Sequence, residues 1–289
     1  MAEVTVHPLR LRMIEDMTVR NLDEKTQRGY IRSVRECCRF CGRRPEQLTY
    51  EDVRRFQLQL QLMQSGLAPG SVNGAMVGLR FFFRVTLRRA DALEYIPTAH
   101  EPQRLPVVMT REEVASLLEA ATSPKWRTAL SVAYGAGLRA SEVVNLKVSD
   151  IDSGRMRIRV EQGKGRRDRE ALLSPHLLAA LRNWWKLARP PAWLFPNPHT
   201  PFDHVTARSL NRAFHDAARR AGIKKPVCLH TLRHCFATHL LEQKIDVRVI
   251  QVLLGHKKLG TTAIYTHVAG TILDGIESPL DLLKLRPPA

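Results

Sequence analysis

Residues 229–242 read Leu-His-Thr-Leu-Arg-His-Cys-Phe-Ala-Thr-His-Leu-Leu-Glu. The stretch predicts a helix, with His230 near its start and Cys235, Phe236 and Leu240 further along. A spacing of i, i+3 puts His230 and Arg233 on one face. A guanidinium makes paired, charge-assisted hydrogen bonds to phosphate oxygens, and the neighbouring imidazole can reach the same anion or an attacking hydroxyl. Taken alone, the pattern is weak and more often marks a surface arginine beside a capping histidine.

Working outward, further helices are expected at about 175–189, 205–222 and 246–254, with a short one near 259–265 that carries Tyr265. Upstream, Met156-Arg-Ile-Arg-Val160 alternates as a strand does. Gln162-Gly-Lys-Gly165 then reads as a turn, and Arg169-Glu-Ala-Leu-Leu173 as the returning strand. Thr110-Arg-Glu-Glu113 is a capping box that opens another helix. Just before it, the proline-rich IPTAHEPQRLPVVMT has the character of a linker.

Toward the N-terminus, residues 23–41 place Tyr30, Val34, Cys37, Cys38 and Cys41 on one helical face. A second helix opens at Thr49 with Val53, Phe56 and Leu60 on its inner side, and Ser71 is read as the cap of a third that runs to about Val85. The expected fold is mainly α with a small antiparallel sheet. Its parts are a helical domain over 1–92, a linker over 93–106 and a second domain over 107–289.

Composition narrows the partners. Of 289 residues, 44% are hydrophobic and 25% charged, as in soluble globular proteins, and the net charge is +17. Residues 1–106 hold 17 Lys and Arg against 12 Asp and Glu, and residues 107–289 hold 28 against 16, so both parts are basic. Such a field favours nucleic acid or an anionic surface. No apolar run approaches 18 residues and the N-terminus lacks a signal-peptide pattern, so a cytoplasmic location and no membrane partner are expected. Cys38-x-x-Cys41 looks like half a zinc site without its other half. Helix packing is the better reading, and no metal is expected.

Four more positions complete a chemical set with His230 and Arg233. Arg139 lies in Gly-Ala-Gly-Leu-Arg-Ala-Ser-Glu, residues 135–142, beside an expected helix start, with Glu142 placed to hold a backbone group or an arginine. Lys164 stands between two glycines at the hairpin tip, suited either to protonating a leaving oxygen or to plain solvation. Arg166, Arg167 and Arg169 are read as backbone-phosphate contacts or surface charge. His256 follows Leu254-Gly255, and Tyr265 comes nine residues later. At a pKa of about 10, only about one tyrosine hydroxyl in a thousand is ionised at neutral pH. A nearby base and two guanidiniums offset that deficit. The set is competent to cut a phosphodiester without a metal, and no GxxxxGK[ST] loop is present.

These residues resemble the tyrosine recombinases, the phage-integrase and Xer-type family of site-specific recombinases. The resemblance rests on GAGLRASEVVNL, GKGRRDR, LHTLRHCFATHLLE and LLGHKKLGTTAIYTHV, and on KTQRGYIRSVRECCRF with LRFFFRVTL in the first domain. It spans about residues 15–270. It implies a SAM-like core-binding domain and a catalytic domain that close as a C-shaped clamp on double-stranded DNA. By the same resemblance, Arg139 and Arg233 clamp the scissile phosphate and Lys164 protonates the departing 5′ oxygen. His230 acts on the tyrosine proton, His256 supports a phosphate oxygen, and Tyr265 forms a 3′-phosphotyrosyl link.

No cofactor or ATP is implied. A homo-tetramer on two DNA sites is, with C-terminal segments exchanged, accessory proteins able to join, and nucleoid association when bound. Ile272, Leu273, Ile276, Leu280 and Leu283 suit that exchange, or equally an intramolecular terminal helix. Arg80, Lys257 and Lys258 join Arg166, Arg167 and Arg169 as candidate DNA contacts. Cys235 stands where threonine is common in the family, and Lys257-Lys258 replace small polar residues. The expected role is integration or excision of a mobile element. Relaxation of the type IB topoisomerase kind, or a DNA-binding accessory with a retired site, are the alternatives.

Overall fold

The computed structural model describes residues 7–62, 68–89, 97–101, 105–161, 168–200, 202–255 and 260–263. The chain divides into two units, residues 1–103 and 104–289.

The first unit is helical: α1 (Pro8–Val19), α2 (Glu24–Cys41), α3 (Tyr50–Leu62) and α4 (Pro69–Phe81), the last passing into a π-helical turn at Phe82–Thr86. Asp23 caps α2 by accepting from the Thr26 amide at 2.9 Å, and Gly42, at φ 64°, ends it in the left-handed conformation. Val34 and Cys37 are buried as the spacing predicts, with Tyr30, Cys38 and Cys41 packed at the margin of a core that holds Met13, Met17, Phe56, Leu79, Phe82 and Phe83. Burial raises the Cys38 thiol to about 11, so it stays protonated and acts as a small packing group.

One expectation needs correction here. Ser71 does not cap the third helix. Ala68 is the cap and Pro69 takes the first helical position, where its missing N–H costs nothing. The helical segment does run to about Val85 as expected, its last turn, Phe82–Thr86, being π-helical with Phe82 and Phe83 both buried.

The second unit begins with the capping box: Thr110 and Glu113 bond each other's backbone N–H and so start α5 (Arg111–Glu119). Then come α6 (Pro124–Gly135) and α7 (Ala140–Val144). A three-stranded antiparallel sheet follows, β1 (Ile151–Asp152), β2 (Arg157–Val160) and β3 (Arg169–Leu172), in the order β1-β2-β3. Ile158 pairs with Ala171 and Val160 with Arg169. The chain continues through α8 (Pro175–Ala188), α9 (Ala207–Arg220), α10 (Leu229–Glu242), α11 (Val247–Leu254) and α12 (Gly260–Ala263).

The architecture is therefore mainly helical with one small antiparallel sheet, as the sequence predicts. The main core runs from Leu117 and Leu130 through Ile158, Ala171 and Leu177 to Phe214, Leu232 and Cys235. A second cluster, Phe236, Ala237, Leu241, Ile250 and Leu254, fastens α11 onto α10. Among the described residues, no helix is long and apolar enough to cross a membrane.

Candidate active site

The site is built from the turn between α6 and α7. Gly137 adopts φ +62°, and a Cβ there would lie 2.5 Å from Phe236 Cδ1 on α10. Both the backbone angle and the contact require glycine. Gly135 is different, since a Cβ on it would meet Leu177 at an ordinary 3.5 Å. The tight turn brings the Gly137 carbonyl onto α10 and sets Arg139 as the residue capping α7.

Glu142, 4% exposed at its side chain, is the hub. Its Oε1 accepts from Arg139 Nη1 at 2.7 Å. Its Oε2 accepts from the Arg139 backbone N–H at 2.9 Å and from Arg169 Nη2 at 2.7 Å. Arg233 Nη1 stands 3.9 Å from the same oxygen. Burial alone would push the Glu142 carboxyl up. The charge of Arg169, then the amide and side chain of Arg139, reverse that and hold it below its ordinary value. Glu142 stays ionised, one negative charge among three positive ones.

Arg233 lies beneath, 1% exposed, donating from Nη1 to the Gly137 carbonyl at 2.6 Å and from Nη2 to the Leu254 carbonyl at 2.5 Å. Arg139 keeps 21% of its side chain exposed and is the guanidinium of the cluster most open to solvent. His230, one turn before Arg233 on α10, is exposed as a residue, yet its ring packs edge-on against His234 with centroids 4.7 Å apart. Burial, then the charges of Arg233 and Arg139, lower its pKa from 6.5. Because the residue faces solvent, the two like charges are the sturdier cause. His230 is accordingly neutral near pH 7 and able to take a proton.

Arg169 corrects the surface-charge reading. Its side chain is only 12% exposed and both of its Nη groups are used, one on Glu142 and one on the Leu253 carbonyl at 2.8 Å. The signal was present in the sequence: Arg169 shares strand parity with buried Ala171 and Leu173, so it faces inward. His234 was also not singled out, although burial, His230 and Arg233 lower its pKa to about 4. Cys235, at the family's threonine position, accepts from the Met109 amide at 3.2 Å. Arg80 lies half-buried on α4 in the first unit, apart from this cluster in sequence.

Of the six expected catalytic positions, the structure brings Arg139, His230 and Arg233 into one cluster around Glu142. Lys164, His256 and Tyr265 lie outside the described residues, as do Arg166, Arg167, Lys257, Lys258 and the apolar set Ile272, Leu273, Ile276, Leu280 and Leu283. Among the described residues, no three His, Cys, Asp or Glu side chains are grouped to hold a metal.

The second unit thus holds a partly buried cationic cluster beside a neutral histidine, an arrangement suited to an anion. Residues 107–271 match the phage integrase family, and residues 9–91 its N-terminal SAM-like domain. The chain is 44% identical over 287 residues to the "Putative integrase/recombinase y4qK" of Sinorhizobium fredii, covering 99% of this chain and 92% of that one. It is 35% identical to the tyrosine recombinase XerA of Pyrococcus furiosus over 82% of each chain. A crystal structure of XerA recombinase shares the fold at a TM-score of 0.54 and 28% identity, covering 92% of this chain and 95% of that one. The chain belongs to the phage integrase family of tyrosine recombinases, enzymes of site-specific DNA recombination.

Proposed function

We propose that the protein cuts and rejoins double-stranded DNA by transesterification at Tyr265, without metal or ATP. What carries the reading is the cluster itself: three guanidiniums share one buried carboxylate, and a histidine held neutral stands beside them. Excess positive charge in a partly dry site stabilises an anion, and a phosphodiester gains charge as it is attacked.

In this scheme the Tyr265 oxygen bonds to phosphorus and its proton passes to His230. The bond from phosphorus to the 5′ oxygen breaks, and Lys164 gives that oxygen its proton. The products are a 3′-phosphotyrosyl link and a 5′ hydroxyl, and attack by the 5′ hydroxyl of a partner strand reverses the step. His256 supports a phosphate oxygen. Arg139, the more exposed guanidinium, meets the phosphate first. Arg233 is anchored on two carbonyls through two of its five N–H donors and adds its positive charge to the phosphate site. Arg80, Arg166, Arg167, Lys257 and Lys258 are proposed as contacts to the DNA backbone.

We assign residues 1–92 to the core-binding domain, 93–106 to a linker and 107–289 to catalysis. The working form is a tetramer on two sites, its C-terminal segments exchanged, acting in integration or excision of a mobile element. Among similar folds is a lambda integrase dimer bound to a core site, with a TM-score of 0.74 at 20% identity.

The deciding experiment uses a nicked suicide duplex, built on the sequence recovered by mapping covalent adducts on DNA. Wild type is expected to form an adduct in the presence of EDTA, and Tyr265→Phe none. An adduct that persists in the variant removes Tyr265 as nucleophile. Relaxation of supercoils without strand exchange points instead to topoisomerase action.

A further inference from the structure

We infer that Arg169 is a positioning residue for strand transfer, locking the hairpin base and the end of α11 onto the carboxylate that orients Arg139. The inference rests on the function proposed above and adds to it a residue outside the six expected to act on the phosphate.

The geometry is a three-way tie. One fork of Arg169 reaches Glu142 Oε2 at 2.7 Å, the oxygen that also takes the Arg139 amide. The other reaches the Leu253 carbonyl at 2.8 Å. That carbonyl is among the last of α11, which have no partner within the helix. A guanidinium at a helix C-terminus both fills such an acceptor and answers the local negative dipole. Arg233 does the same for Leu254, so two arginines of the cluster hold one helix end. The chain leaves α11 through Gly255 at φ +63°, where a Cβ would lie 2.6 Å from Arg169 Cδ, so the backbone runs directly over the arginine stem.

The tie joins the segments that carry the chemistry. Arg169 is five residues past Lys164 on the returning strand, and Leu253 is three residues before His256. The hairpin base, the Arg139 turn and the approach to His256 are thus cross-linked through one side chain. Packing alone does not call for it. The neighbouring inward positions, Ala171 on this strand and Leu173 just past its end, are apolar, and a leucine at 169 would serve a purely structural edge. Lysine cannot replace it, since a single ammonium lacks the planar fork that spans two acceptors.

The test measures single-turnover adduct formation with saturating full-length protein on the mapped nicked duplex, from pH 5 to 9. For Arg169→Gln the rate is expected to fall ~100-fold, with DNA affinity within ~3-fold of wild type, the pattern of lost alignment rather than lost binding. The acid limb of the profile should move to higher pH, because Glu142 loses the charge that most favours its ionised form. Combined with Glu142→Gln, the same change should add less than ~3-fold, because the two act as one unit. Arg169→Lys keeps the charge and carries the test if the glutamine variant does not fold, with a loss of ~10-fold expected.

Wild-type rates in both variants, an unmoved acid limb, a fully multiplicative double variant, or equal losses of affinity and rate would overturn the inference. A wild-type protein that forms no adduct overturns the proposed function, and the inference falls with it. A wild-type adduct with unaltered variants overturns the inference alone.

Discussion

Helix α10 carries two buried polar clusters that differ in one respect. Near its start, Arg233 joins Arg139 and Arg169 around Glu142, and charge is left over. Toward its end, His239 sits between the Tyr134 hydroxyl, 2.9 Å from Nδ1, and the Met109 carbonyl, 3.1 Å from Nε2. With the Nε2 proton donated to the carbonyl, Nδ1 accepts from Tyr134, and both ring nitrogens of a neutral imidazole are satisfied. The second cluster is closed: it joins α6, α10 and the chain entering α5 and has nothing left to offer a ligand. The first is open by two positive charges. A saturated network specifies a fold, whereas an unbalanced one is held in place by the fold for something that arrives later.

The sharpest way to break this contrast is Glu142→Ala. It leaves three guanidiniums, one of them almost fully buried, without their shared counter-charge. Removing one partner of a buried ion cluster costs about 3–5 kcal/mol, so the urea midpoint should drop steeply and adduct formation should vanish. A loss below about 1 kcal/mol would mean that the arginines are held by carbonyls alone.

Gly137→Ala comes next. It forces an L-residue to φ +62° and pushes a methyl group into the Phe236 ring, which together cost about 2–4 kcal/mol. The damage should reach function, because the Gly137 carbonyl anchors Arg233. Residual adduct formation per folded molecule is therefore expected to fall as well, which equilibrium unfolding and single-turnover assays together would show. A variant that is destabilised yet fully active would separate the turn from the site.

Acid brings the two clusters under one measurement. His230, His234 and His239 all have pKa values lowered from 6.5, by burial and, in the solvent-facing His230, by the sturdier effect of the arginine charges, and His234 falls to about 4. The unfolded chain takes up these protons near pH 6.5, whereas the folded protein resists them. Unfolding therefore binds protons as pH drops, and stability that is complete above pH 6.5 is lost progressively toward about pH 4. Urea midpoints at pH 7.5 and pH 5 should show the fall, and His234→Gln should flatten part of it. A midpoint that is level across this range would place the histidines in water.

How much of this was legible beforehand follows from the range of each interaction. Helices α2, α5 and α10 announce themselves through local signals: an Asp cap, a Thr-Glu box and apolar spacing. Glu142 was legible as a possible holder because it stands three residues past a helix cap. Arg169 was not, because its partners are 27 and 84 residues away and only strand parity hints that it turns inward. Strand β1 is two residues long, too short to alternate, and it pairs only because β2 is already in place. Helices α1 and α6 were not among the expected elements: α6 starts at a Ser123 cap that went unread, and α1 is capped by His7, outside the usual set of capping residues.

Tyr134→Phe asks the smallest and cleanest question. The substitution keeps the ring and removes one hydroxyl, so His239 Nδ1 loses its donor inside a buried site. An unpaired buried acceptor costs about 1–3 kcal/mol, and a lowered urea midpoint of that order is expected. The Tyr134 hydroxyl bonds to His239 rather than to any of the three arginines, and that histidine is itself saturated by Met109. Cleavage per folded molecule should therefore match wild type within about 2-fold, since independent sites add without coupling. A drop in rate as large as that of Gly137→Ala would show that α10 transmits strain along its length, and the closed cluster would then be part of the catalytic frame rather than a neighbour to it.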